Sequence, residues 1–134
     1  MNTYGITIVC IETMNELSIT VTADEAETSD DIILETAVDG RTLKAAGESY
    51  LETFQKLRDR LLAFGYGMKC CGALINAVQS GMMAYTPQVY LVTLGQQALK
   101  KDIVSIWDSC DIREFPDTAA QKEFTEKWYR SLKK

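Results

Sequence analysis

Segments with apolar residues at every second position come first in this chain, and a segment with apolar residues three and four apart follows them. That order constrains the fold more than any other feature, because the two periods belong to strands and helices respectively. Tyr4, Ile6, Ile8 and Cys10 share one face of a strand over residues 4–11. Leu17, Ile19 and Val21 alternate with Ser18, Thr20 and Thr22 over residues 17–22, and the polar stretch Thr13–Glu16 between the two segments predicts a hairpin. Acidic residues 23–31 read as a loop. Ile32–Val38 then reads as a third strand, its β-branched residues disfavouring a helix over Ser29–Val38. Asp39-Gly40 is a two-residue turn signal, and Arg41–Lys44 continues the ribbon beyond it.

The period then changes. Tyr50, Phe54, Leu57, Leu61 and Phe64 form one stripe at intervals of four and three, which predicts an amphipathic helix. Ser49 and Glu52 fit a capping box at its start, Glu52 and Lys56 pair at i,i+4, and Gly65 stops it. Gly67–Val78 is apolar without helical spacing and reads as a buried central strand. Gln79-Ser80-Gly81 is a turn or a helix entry, Gln88–Leu94 a strand closed by Gly95, and Ile103–Trp107 a further short strand. Thr118-Ala119-Ala120-Gln121 resembles a second capping box, opening a helix with Phe124, Trp128 and Leu132 on one face. The expected fold class is α+β: a largely antiparallel sheet of about six strands covered by two α-helices. With no repeat, low-complexity tract or linker, residues 1–134 read as a single domain.

Function is bounded first by elimination. The 134 residues include no histidine, which removes Ser-His-Asp and Cys-His catalysis, His-containing zinc sites and His-ligated haem. Any nucleophile would need a Lys, Asp or Glu base. Ser80-Gly81-Met82 offers a small-residue turn but lacks the G-x-S-x-G context, so a structural turn is the expectation. Among the acids, Asp102, Asp108, Asp111, Glu114 and Asp117 form the densest group outside the first third of the chain. Paired carboxylates can hold Mg²⁺ or exchange protons, which makes a small metal-assisted hydrolase the alternative reading. Their spacing matches no metal-loop pattern and no phosphate loop accompanies them, so a solvated acidic rim is the simpler expectation. No cofactor is expected.

The cysteines form no paired-ligand motif. Adjacent Cys70 and Cys71 would point to opposite faces of a strand, and Cys10 and Cys110 are isolated, so a zinc site would require the fold to gather Cys10, Cys110 and one of the pair. All four are expected to be small buried hydrophobes. Residues 1–5 lack the basic stretch of a secretory signal, and no apolar run approaches the ~20 residues of a membrane span, so a cytoplasmic, membrane-free protein is expected.

The net charge of −5 conceals a division. The first 40 residues hold nine acids and no base, while residues 41–134 hold 14 bases and 10 acids. An acidic face repels phosphate backbones and attracts basic proteins, although acids also keep an outer sheet surface solvated. The bases build no nucleic-acid reader: Lys56, Arg58 and Arg60 are spread around one helix among Glu52 and Asp59. Trp107 and Trp128 are expected in the core or as partner-facing anchors.

The block Phe64-Gly65-Tyr66-Gly67-Met68-Lys69-Cys70-Cys71-Gly72-Ala73, then Gln79-Ser80-Gly81-Met82-Met83-Ala84-Tyr85, Val89–Gly95 and Ile103–Asp108, resembles small bacterial immunity proteins of contact-dependent growth inhibition and related polymorphic toxin systems. The resemblance covers residues 40–110 and rests on turns and buried positions. It implies a non-enzymatic protein that neutralises a cognate toxin by direct contact, the toxin being a basic nuclease. The acidic residues Asp24, Glu25, Glu27, Asp30 and Asp31 are then the first candidates for that interface, and Asp108, Asp111 and Glu114 the second. A structural or regulatory subunit is a third reading.

Overall fold

The computed structural model describes residues 1–133. Strands β1 (Asn2–Cys10), β2 (Glu16–Glu25), β3 (Ile32–Val38) and β4 (Arg41–Gly47) form consecutive antiparallel hairpins. Helix α1 (Tyr50–Ala63) crosses back over them to β5 (Tyr66–Met68), which pairs with β1 and completes a five-stranded sheet ordered β4-β3-β2-β1-β5. The β3–β4 turn places Asp39 and Gly40 at φ of 51° and 73°, the left-handed pair that a two-residue turn needs to match the sheet's twist.

One face of this sheet is covered by α1. Ser49 caps the helix, its hydroxyl accepting the Glu52 amide, and Phe54, Leu57 and Leu61 are fully buried against Ile8, Val21 and Leu34. Each such side chain contributes roughly 1.5–3 kcal/mol. Phe64 ends the stripe outside the core, where the Arg41 guanidinium lies 4.7 Å from its ring centroid. Leu17, expected on the inward face, is likewise exposed near the start of β2.

A second sheet carries the later strands, and here the expected single sheet of about six strands becomes eight strands in two. β6 (Ala77–Val78), β7 (Gln88–Leu91) and β8 (Ile103–Ser105) pair antiparallel in the order β6-β7-β8. Helix α2 (Thr118–Ser131) covers it through Trp128, Phe124 and Leu132, packed with Val78, Tyr90 and Val92. The expected central strand over Gly67–Val78 is therefore three pieces: β5, a 3₁₀ turn over Cys71–Ala73, and β6. Within that turn Gly72 passes beneath Ile106 and Phe54, too close for a side chain. Asp117 rather than Thr118 caps α2, accepting the Ala120 amide at 2.9 Å.

Trp107 joins the two halves. It stacks on Tyr4 (5.1 Å between centroids), presents its ring to Phe54 and Tyr50 edge-on, and donates from Nε1 to the Tyr50 hydroxyl at 2.9 Å. Both tryptophans are thus core residues rather than surface anchors.

Candidate protein-binding surface

The first acidic group gathers at one end of the five-stranded sheet. Asp24 and Glu25 belong to β2 rather than to a loop, opposite Ile33 and Ile32 of β3. Beyond them the chain turns back through a loop closed by the Ala26 amide on the Asp31 carbonyl (2.9 Å), with the Ser29 hydroxyl accepting from the Asp31 amide. Asp24, Glu25, Glu27 and Asp30 are exposed and Asp31 is half-buried. Among the described residues none of the five takes part in an ion pair. Five uncompensated carboxylates within eight residues give this end of the molecule a strongly negative field.

The second group lies elsewhere. Asp111 is 3.9 Å from Lys69 Nζ and 3.8 Å from the Arg113 guanidinium. Lys69 also pairs with Glu16 at 2.7 Å, at the first residue of β2, and those carboxylates hold its ammonium pKa above the ordinary lysine value. Glu16 and Asp24 are eight residues apart along one strand, about 26 Å at 3.3 Å per residue. Asp108 is exposed and caps a turn by accepting the Ser105 amide. Glu114 lines, with Asp111, a cleft of about 690 Å³ walled by Leu74, Ile75, Ile112, Phe115 and Pro116. The structure does not bring the two acidic groups into one surface around the sheet's acidic end.

Three of the five carboxylates of the hydrolase alternative, Asp102, Asp108 and Asp117, accept backbone amides. Asp102 accepts the Leu99 amide and Asp117 the Ala120 amide, both at 2.9 Å. Among the described residues no three His, Cys, Asp or Glu side chains converge as metal ligands. Ser80 leads into the 3₁₀ turn Gly81–Met83, its carbonyl accepting the Met83 amide.

The cysteine expectation is corrected for two of the four. Residues 69–71 run antiparallel beside 108–110, with the Cys71 amide on the Asp108 carbonyl and the Cys110 amide on the Lys69 carbonyl. That pairing brings Cys71 and Cys110 together as a disulfide. Cys70 points the other way into the core, and burial pushes its thiol up to about 12. Cys10, the last residue of β1 and opposite Tyr66 of β5, is a free thiol whose pKa is lowered by hydrogen bonds from the Thr13 side chain and backbone.

A polar cluster between the helices escaped the sequence reading. Arg58 is 1% exposed; it donates from Nη2 to Gln121 Oε1 (2.7 Å) and Thr118 Oγ1 (3.2 Å), and from Nε to Asp59 (2.8 Å). Burial lowers its pKa, with Asp59 and Asp117 opposing the shift. Gln121 receives a second donor from Gln55 and gives its own amide to the Gly72 and Leu74 carbonyls, so one side chain ties α1, α2 and the 3₁₀ turn. The available signal was position: Arg58 follows Phe54 by four residues and Leu57 by one, on the buried stripe.

No protein-family model matches the chain. No curated protein matches it by sequence. No helix among the described residues is long and apolar enough to cross a membrane.

Proposed function

We propose that this protein is an immunity protein: it neutralises a cognate antibacterial toxin, a basic nuclease, by direct protein contact and without chemistry of its own. The observation that carries the reading is the set of five unpaired carboxylates, Asp24, Glu25, Glu27, Asp30 and Asp31, at one end of the sheet. An uncompensated negative patch speeds encounter with a basic partner and excludes the nucleic acid that partner would bind. The capping duties of Asp102 and Asp117 favour this reading over the metal-assisted hydrolase, whose carboxylates would have to converge. Asp108, Asp111 and Glu114, at the Glu16 end, are a secondary contact for a partner large enough to wrap the sheet. For a nuclease target the compartment is the cytoplasm, where Cys71 and Cys110 would stand as two thiols.

The test is growth rescue. The protein is co-expressed with the product of the reading frame immediately upstream of its own, beside a variant carrying Asp24→Lys, Glu27→Lys, Asp30→Lys and Asp31→Lys. The wild type is expected to restore growth and the variant to fail; full protection by the variant would refute the acidic-surface reading.

A further inference from the structure

The five-stranded sheet has two edges, and the fold closes them differently. At one edge β5 is three residues long; the chain beyond it pairs with residues 108–110 through Cys70 and Ser109, and the Phe115 ring lies on Gly67. At the other edge β4 presents seven residues with no strand beyond them. The Asp39-Gly40 turn makes Val38 and Arg41 the hydrogen-bonded pair that opens the β3–β4 ladder. Alternate residues of β4, namely Thr42, Lys44 and Ala46, therefore turn their amides and carbonyls away from β3. An edge of this kind is a template for another strand.

Two of its carbonyls are occupied from within the molecule. Lys56 of α1 donates from Nζ to the Ala46 carbonyl at 2.9 Å, and Arg60, one turn later, donates from Nη1 to the Lys44 carbonyl. Glu52, one turn before Lys56, lies 3.1 Å from its ammonium and steadies it. An incoming strand meets two charged donors where its own amides would have to bind. A second copy of the chain is the strand always at hand, since β4 laid antiparallel on β4 joins identical edges across a two-fold axis. In the register centred on Lys44, Thr42 faces Ala46 and Lys44 faces itself, a like-charge pair that adds to the barrier.

We propose that Lys56 and Arg60 guard the β4 edge, keeping it from adding a strand of a second copy of this chain. The guard acts in the protein alone and does not depend on which partner meets the acidic end. Its test removes both cations in a Lys44→Thr background, so that neither of the two proteins compared carries the central like-charge pair. Lys44, Lys56 and Arg60 are all exposed, so the substitutions leave the core intact. In sedimentation equilibrium, Lys44→Thr alone is expected to remain monomeric. Lys44→Thr combined with Lys56→Ala and Arg60→Ala is expected to self-associate at least about tenfold more tightly. Hydrogen exchange at the Thr42 and Ala46 amides, free in the monomer, should slow as the triple variant associates. A triple variant that associates no more tightly than Lys44→Thr, or that associates without slowing exchange at Thr42 and Ala46, overturns the guard.

Discussion

Arg58 of α1 donates to Oε1 of Gln121 of α2 at 2.7 Å, and both side chains are 1% exposed. This hydrogen bond makes the two helices one unit, since Gln121 in turn holds the Gly72 and Leu74 carbonyls. Arg58→Ala would strip donors from Gln121, Thr118 and Asp59 and open a hole between the helices. We expect a loss of about 3 kcal/mol, measured by urea denaturation. Gln121→Ala should cost a similar amount, and the double variant much less than the two combined, because both changes remove the same network.

The Cys71–Cys110 bond closes a sequence separation of 39 residues. In the chain-entropy account a loop of that length stabilises by about 4 kcal/mol. Reduction with dithiothreitol should lower Tm clearly and raise the titratable thiols in denaturant from two to four. The reduced protein is still expected to fold, because Ile106, Trp107 and Ile112 keep the 106–112 segment in the core without it. An unchanged Tm would mean that the cross-link contributes nothing to the folded state.

Cys70 sets an alkaline limit. Its thiol is held at about 12 against 9.0 when unfolded, so the folded state favours the protonated form. A group raised on folding gives stability that is complete below the unfolded value and is lost as pH climbs towards the folded one. Stability should therefore decline from about pH 9 to pH 12, and Cys70→Ala should flatten that decline in melts recorded across the range. In the native protein at pH 8, Cys10 should react with a thiol reagent and Cys70 should not.

Gly67 reports how the cleft segment is seated. A Cβ at this position would collide with the Phe115 ring, which lies directly on the β5 backbone. Gly67→Ala should destabilise by about 1–3 kcal/mol, and Gly67→Ala combined with Phe115→Ala should recover part of that loss.

The first half of the fold was legible because each of its elements has one wet and one dry face. Ile19 and Val21 alternate with polar residues on β2, and the stripe through Phe54, Leu57 and Leu61 marks α1. Residues 67–78 hide their bends for the opposite reason. Met68, Cys70, Cys71, Ala73 and Ala77 are all buried, so no alternation distinguishes a straight strand from a strand, turn and strand. The acidic end of the sheet was visible as composition, yet the separation of Asp111 from Asp24 depends on Lys69 meeting Glu16 across the pairing of β1 with β5.

The central claim is that the negative end of the sheet recruits a basic protein. Its most direct test is the association rate of the purified protein with the product of the reading frame immediately upstream, followed by stopped flow from low to physiological ionic strength. The claim predicts fast association that slows steeply with salt, and a slower, nearly salt-independent rate when Asp24, Glu27, Asp30 and Asp31 are all changed to lysine. A rate that is the same for both proteins and indifferent to salt would contradict it.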